Sequence, residues 1–172
     1  MRLINNKFLL SDDICKNIIS EYKDKVVLAK TDIRQQKIYH ERNENSWLWN
    51  EIQKLISSNL GDEYSVYSRV TILKYTKGDY FLEHTDGPSN ARIRKEKYGG
   101  EKLKPHFFGG VELCDDNEFK GGDFYIDGKI VEYKKGRMFT HSFNDLHEIK
   151  EVTDGTRWSV HFLIHKENLI LI

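Results

Sequence analysis

Along the first sixty residues, apolar positions recur at helical spacing. Ser11 followed by Asp12 and Asp13 marks a helix start, because a serine hydroxyl satisfies a free first-turn amide and the acids lie at the positive end of the helix dipole. Ile14, Ile18, Ile19 and Tyr22 then recur on one face. A second helix is predicted over about 45–60, with Trp47, Leu48, Ile52, Leu55, Ile56 and Leu60 as its buried stripe and Gly61 as its stop. From about Tyr64 onward the rhythm changes to short apolar runs separated by glycine-containing turns. Strands are predicted over 68–76, 80–85, 106–113, 122–126, 129–133, 137–141, 146–152 and 157–165. Asp127-Gly128, between two apolar runs, has the composition of a two-residue hairpin turn, which needs positive φ at both positions. Gly121-Gly122 predicts a turn or bulge into the next strand. Two helices succeeded by many short strands indicate an α+β domain in which helices back one sheet of a β-sandwich or barrel.

Length and charge narrow the class. At 172 residues the chain suits one domain with a full core, so 1–172 reads as a single unit: a helical support region over 1–63 and a sheet core over 64–167. Lys plus Arg and Asp plus Glu number 27 each, so no overall charge draws the chain to nucleic acid or membrane. Cys15 and Cys114 form neither a disulfide framework nor a C-x-x-C metal pair, which fits a reducing compartment. The first residues are too interrupted for a signal-peptide core and no later stretch approaches a membrane span, so a cytoplasmic protein without membrane association is expected. The stretch 87–105 lacks an apolar pattern and carries Arg92, Arg94, Lys95, Lys97, Lys102 and Lys104. It reads either as a solvated insertion or as a substrate lid.

The candidate chemistry centres on His84-Thr85-Asp86. In an extended strand residues i and i+2 share a face, so His84 and Asp86 can converge, and a histidine from another strand can close the site. Two imidazoles and one carboxylate are the facial triad that holds non-haem Fe(II) while leaving positions open. With 7 His and 13 Asp in the chain, the triplet alone is a weak signal. His141 and His147 lie in one segment, and His147 is preferred because of the residues downstream of it. Arg157 and Ser159 share one face of the last strand, opposite the apolar Trp158, Val160, Phe162 and Ile164. A guanidinium pointing into a sandwich requires an anionic partner, and a ligand carboxylate bound bidentately would supply one. His161 shares that face but lies farther along, which suits a core role.

Four blocks together resemble the Fe(II)/2-oxoglutarate-dependent dioxygenase superfamily, in its prolyl 4-hydroxylase-like branch. They are Tyr75-Thr-Lys-Gly78-Asp-Tyr80-Phe-Leu-Glu-His84-Thr-Asp86-Gly87, Gly121-Gly122-Asp123-Phe124, Lys135-Gly136-Arg137-Met138-Phe139, and His147 through Val152 and Gly155 to Arg157-Trp-Ser159. The resemblance covers roughly the last hundred residues and implies a double-stranded β-helix, or jelly-roll, fold. It implies His84, Asp86 and His147 as iron ligands. Arg157 would hold the far carboxylate of 2-oxoglutarate, supported by hydrogen bonds from Tyr75 and Ser159. The implied reaction consumes O2 and decarboxylates 2-oxoglutarate to succinate and CO2 while hydroxylating a C–H bond, with ascorbate as an auxiliary reductant. Many collagen-type prolyl hydroxylases carry Lys where this chain has Arg157, so that residue supports the co-substrate without naming a substrate. The nucleic-acid-repair branch places a second arginine six residues later, where this chain has Leu163.

A protein or peptide substrate, proline foremost, is the first expectation. A free amino acid or other small molecule is the second, and nucleic acid, tracked by the basic 87–105 stretch, the third. A binding module on the same fold, or a structural zinc site, is the non-enzymatic alternative; structural zinc usually takes cysteine, and the constellation has none. The sequence sets no oligomeric state.

Overall fold

The structure, a computed structural model, describes residues 8–86 and 107–166. Among these residues two helices and eleven strands run in the order α1 (Asp12–Tyr22), β1 (Val27–Thr31), β2 (Arg34–Glu41), α2 (Trp47–Leu60), β3 (Tyr64–Thr76), β4 (Tyr80–His84), β5 (Phe107–Glu112), β6 (Phe119–Gly121), β7 (Phe124–Ile126), β8 (Lys129–Ile130), β9 (Met138–His141), β10 (His147–Ile149) and β11 (Val152–Lys166). The strands form one curled sheet in the order β8-β7-β10-β4-β2-β3-β11-β5-β9, with β1 on β2 and β6 on β11, and the strand pairs are antiparallel. This is the double-stranded β-helix expected, backed by its N-terminal helices.

Both helix starts obey local chemistry. The Ser11 hydroxyl accepts from Ile14 N at 3.3 Å, and the Ser46 hydroxyl accepts from Trp49 N at 3.2 Å. In α1 the buried face is Cys15, Ile18 and Tyr22; Tyr22 reaches the sheet, packing against Tyr39 at 5.3 Å and donating to Glu41 at 3.0 Å. In α2 Leu48, Trp49, Ile52, Leu55 and Ile56 are buried. Trp49 therefore takes the place expected of Trp47, whose indole stays 37% exposed and donates to Glu21. Gln53 ties α2 to the start of β3, accepting from Val66 N at 2.9 Å and donating to Tyr64 O at 3.0 Å.

Several expectations are corrected. The region between the helices, read as helical support, contains the β1–β2 hairpin, and β2 lies inside the sheet between β3 and β4. Its sequence, RQQKIYHE, is too polar to announce a strand, but its backbone is hydrogen-bonded to neighbours and only Gln36 is fully buried. β3 begins four residues earlier than predicted. Its early part is offset by a bulge at Ser68, which has φ of +63° opposite the register shift at Phe162/Leu163. The short β6 was not predicted. β8 stops at Ile130 rather than 133, and the two last predicted strands are partly merged, because β11 starts at Val152. The Asp127-Gly128 turn stands as expected, with φ of +49° and +70°. The predicted 87–105 loop, and His106 of the predicted 106–113 strand, lie outside the described residues.

Candidate metal and dicarboxylate site

β4 and β10 are adjacent, and their register sets His84 directly opposite His147. Their rings lie 4.2 Å apart between centroids. Asp86 does not reach them by strand alternation, because β4 ends at His84 and Asp86 lies beyond its end. It still meets the pair, with Oδ2 3.5 Å from His147 Nε2. One potential ligand atom from each of His84, Asp86 and His147 lies within 4.8 Å of the others. Among the described residues this is the group of His, Cys, Asp and Glu side chains that converges in this way.

The backbone prepares both imidazoles. His84 Nδ1 lies 2.7 Å from Leu82 O, and His147 Nδ1 lies 3.0 Å from Asp145 O. A carbonyl accepts only, so each Nδ1 is the donor, and in a neutral ring Nε2 is left with the lone pair that a metal takes. His84 Nε2 is buried with no hydrogen-bond partner. Burial, reinforced by the neighbouring His147, holds His84 below the usual imidazole range, which keeps it in the neutral form that a metal requires. Phe81 stacks on the His84 ring at 3.8 Å, and Phe124 packs edge-on to His147 at 6.3 Å.

The second half of the site lies along β11. Arg157 is fully buried opposite Tyr75 of β3, with its guanidinium carbon 5.5 Å from the Tyr75 ring centre. Ser159 is also fully buried and is registered with Glu112 of β5. Four potential donors here are buried without a partner, Tyr75 Oη, Ser159 Oγ, and Arg157 Nε and Nη1, and so is one acceptor, Glu112 Oε2. Leaving such groups unpaired costs about 1–3 kcal/mol each, so their clustering marks a place for an acceptor-rich ligand. Gly122 makes room for this arrangement. It has φ of +68°, and a Cβ there would lie 3.3 Å from Arg157 Cδ and 2.9 Å from Val152 Cγ2.

Two neighbours were given no site role from the sequence. Glu112 forms a buried ion pair with Arg157 through Oε1 and Nη2. The signal for it was one acid within the apolar run FFGGVELC of a predicted strand. His141, set aside in favour of His147, has its ring 4.5 Å from that of His147 and its Nδ1 3.1 Å from Ser142 O. Burial pushes it down to about 3. His161 packs against Phe124 and Phe139 at 6.3 and 5.6 Å, consistent with a core position.

No protein-family model matches the chain. A PKHD-type hydroxylase of Methylobacterium nodulans is 27% identical over 93 residues, which is 52% of this chain. The chain spans only 39% of that relative's length. Among solved structures, a Pseudomonas putida prolyl-4-hydroxylase superposes with a TM-score of 0.66 at 14% identity, covering 93% of this chain and 90% of the other. The viral collagen prolyl hydroxylase of Paramecium Bursaria Chlorella virus-1, solved in complex with 2OG, gives 0.67 at 19% identity, with 92% of each chain covered. A Trichoplax adhaerens prolyl hydroxylase bound to a hypoxia inducible factor oxygen degradation domain peptide fragment gives 0.60 at 15% identity, covering 95% and 82%. The chain is thus similar in sequence, over about half its length, to a PKHD-type hydroxylase, and it shares the fold of these prolyl hydroxylases.

Proposed function

We propose that the protein is an Fe(II)- and 2-oxoglutarate-dependent dioxygenase that hydroxylates a protein or peptide side chain, with proline as the foremost target. The observation that carries this reading is the convergence of His84, Asp86 and His147 beside a buried cluster of unpartnered donors on Tyr75, Arg157 and Ser159. The donor set fits iron: two imidazoles presenting Nε2 and one carboxylate form a facial triad, and no thiolate lies among them. Bound Fe(II) would supply activation of O2 and oxidation of 2-oxoglutarate, giving succinate, CO2 and a hydroxylated product, with ascorbate as an auxiliary reductant.

The chain's own part is positioning. Arg157 anchors the far carboxylate of the co-substrate, and the Tyr75 and Ser159 hydroxyls donate to it, which fixes its orientation toward the triad. Phe81 and Phe124 pack against the two histidines, with Phe139 behind Phe124, and this apolar surface limits water near the reacting centre. The peptide-bound Trichoplax structure supports a peptide substrate at the level of a shared fold.

The test is incubation of purified protein with Fe(II), 2-oxoglutarate and O2 alongside proline-containing peptides, free amino acids and nucleosides. Succinate release with a one-oxygen mass gain on a peptide is expected. His84→Ala and Asp86→Ala should abolish both readouts, and turnover that survives either change would refute the assignment. A mass gain confined to a free amino acid or a nucleoside would replace the peptide reading with that class.

A further inference from the structure

Arg157, the anchor for the co-substrate's far carboxylate, already holds a carboxylate of its own. Glu112 is 5% exposed and Arg157 fully buried, and their ion pair uses one guanidinium nitrogen. Arg157 Nε and Nη1 are left without partners, and so is Glu112 Oε2. An incoming dianion would set a second carboxylate beside the first in a buried site with one guanidinium to share. Two carboxylates at such close range cannot both stay ionised in a desolvated site, and one of them takes a proton.

We propose that Glu112 is a specificity-determining residue of the dicarboxylate pocket, taking up one proton from solvent as the far carboxylate of 2-oxoglutarate binds Arg157. The inference rests on the co-substrate reading under Proposed function. The step is balanced: an O–H bond forms on Glu112 with a proton from solvent, its ion pair with Arg157 gives way to one between Arg157 and the ligand, and the net charge of the buried site is conserved.

Among the groups around Glu112, it is the one placed to accept that proton. Arg157 from β11 stays cationic, held up by Glu112 against the effect of burial. Tyr75 from β3 and Tyr133, from the segment after β8, are phenols pushed upward by burial. Cys114, two residues farther along the chain, is pushed up to about 12 by burial. Lys134 and Arg137 line the small pocket that reaches Glu112, with Glu132 paired to Arg137 at 3.0 Å. Lys135, whose backbone bridges to Glu112, is held by Asp12 and Asp115. His161, farther along β11, is kept neutral by burial. Glu112 itself is shifted upward by burial, with Arg157 pulling the other way.

The test is calorimetric titration of 2-oxoglutarate into Mn(II)-loaded protein without oxygen, between pH 6.0 and 8.5, in buffers of different ionisation enthalpy. Wild type should take up about one proton, and its affinity should weaken up to about tenfold per pH unit as pH rises. Glu112→Gln should bind with no proton uptake and a flat pH profile, about tenfold or more tighter than wild type at pH 8. A 2-oxo acid lacking the far carboxylate, 2-oxopentanoate, should show neither proton uptake nor sensitivity to Glu112→Gln. Wild-type binding of 2-oxoglutarate without proton uptake overturns the role of Glu112 and leaves the co-substrate reading standing. Failure of Mn(II)-loaded wild type to bind 2-oxoglutarate at any pH overturns both. The wild-type proton count needs no variant, so a misfolded Glu112→Gln would leave the test intact.

Discussion

Tyr75 and Ser159 carry buried hydroxyls that satisfy no protein acceptor, which separates their effect on stability from their effect on binding. Tyr75→Phe and Ser159→Ala each remove an unpaired polar atom, so the melting temperature of the ligand-free protein should stay level or rise. The same changes should weaken 2-oxoglutarate binding by roughly tenfold, the value of about one hydrogen bond to a charged group, and titration of the metal-loaded protein would show it. Arg157 behaves oppositely. Arg157→Met strands Glu112 in the core and should cost about 3–5 kcal/mol in denaturant unfolding. Adding Glu112→Leu should restore most of that loss, since a buried pair replaced by apolar groups of similar size is often neutral. A double variant no more stable than the single one would show that the pair does not act as a unit.

At the level of elements, two junctions hold the site in place. Gly122 sits between β6 and β7 with φ of +68° and little space for a Cβ. Gly122→Ala therefore imposes backbone strain and presses on Val152 and Arg157, and a loss of about 1–3 kcal/mol is expected. Because Arg157 is one of the groups displaced, co-substrate affinity should fall together with stability. The other junction is Gln53, whose amide joins α2 to the start of β3 through two backbone hydrogen bonds. Gln53→Ala should cost about 1–3 kcal/mol by leaving Val66 N and Tyr64 O without it, with no change in metal affinity. Much of the element layout was legible. The serine caps, the Asp127-Gly128 turn and the apolar stripes are decided within a few residues. The polar β2 was not legible, because its place is set by neighbours on either side rather than by its own pattern.

Across the whole molecule, buried histidines link stability to pH. Burial holds His161 well below the usual imidazole range, and burial, aided by Arg69, Arg42 and Arg34, holds His40 down to about 4. The unfolded chain binds protons at these positions near pH 6.5, whereas the folded chain does not. Stability is therefore at its plateau above about pH 6.5 and falls as pH drops toward the folded values. Thermal melting in metal-free buffer should give a lower midpoint at pH 5 than at pH 7.5, and His161→Leu should lose less over that interval. An unchanged midpoint would mean that these imidazoles open to solvent in the native state. No helix among the described residues is long and apolar enough to cross a membrane.

The amino-acid sequence determined by itself what depends on neighbouring residues: where the helices begin, where the chain reverses at Asp127-Gly128, and which residue types were available for a metal and a dicarboxylate. Tertiary structure alone decided how they combine. The pairing of β10 with β4 sets His147 opposite His84, whereas His141 lies on β9 beside β5. Asp86 meets His147 as expected, but from beyond the end of β4 rather than by the strand alternation from which the convergence was read. Glu112 and Arg157 are far apart in the chain and meet because β5 and β11 are paired with Glu112 opposite Ser159. The physical reason is the same in each case: periodicity and turn chemistry act over a few residues, whereas strand register brings distant residues together and thereby fixes the electrostatics of the site.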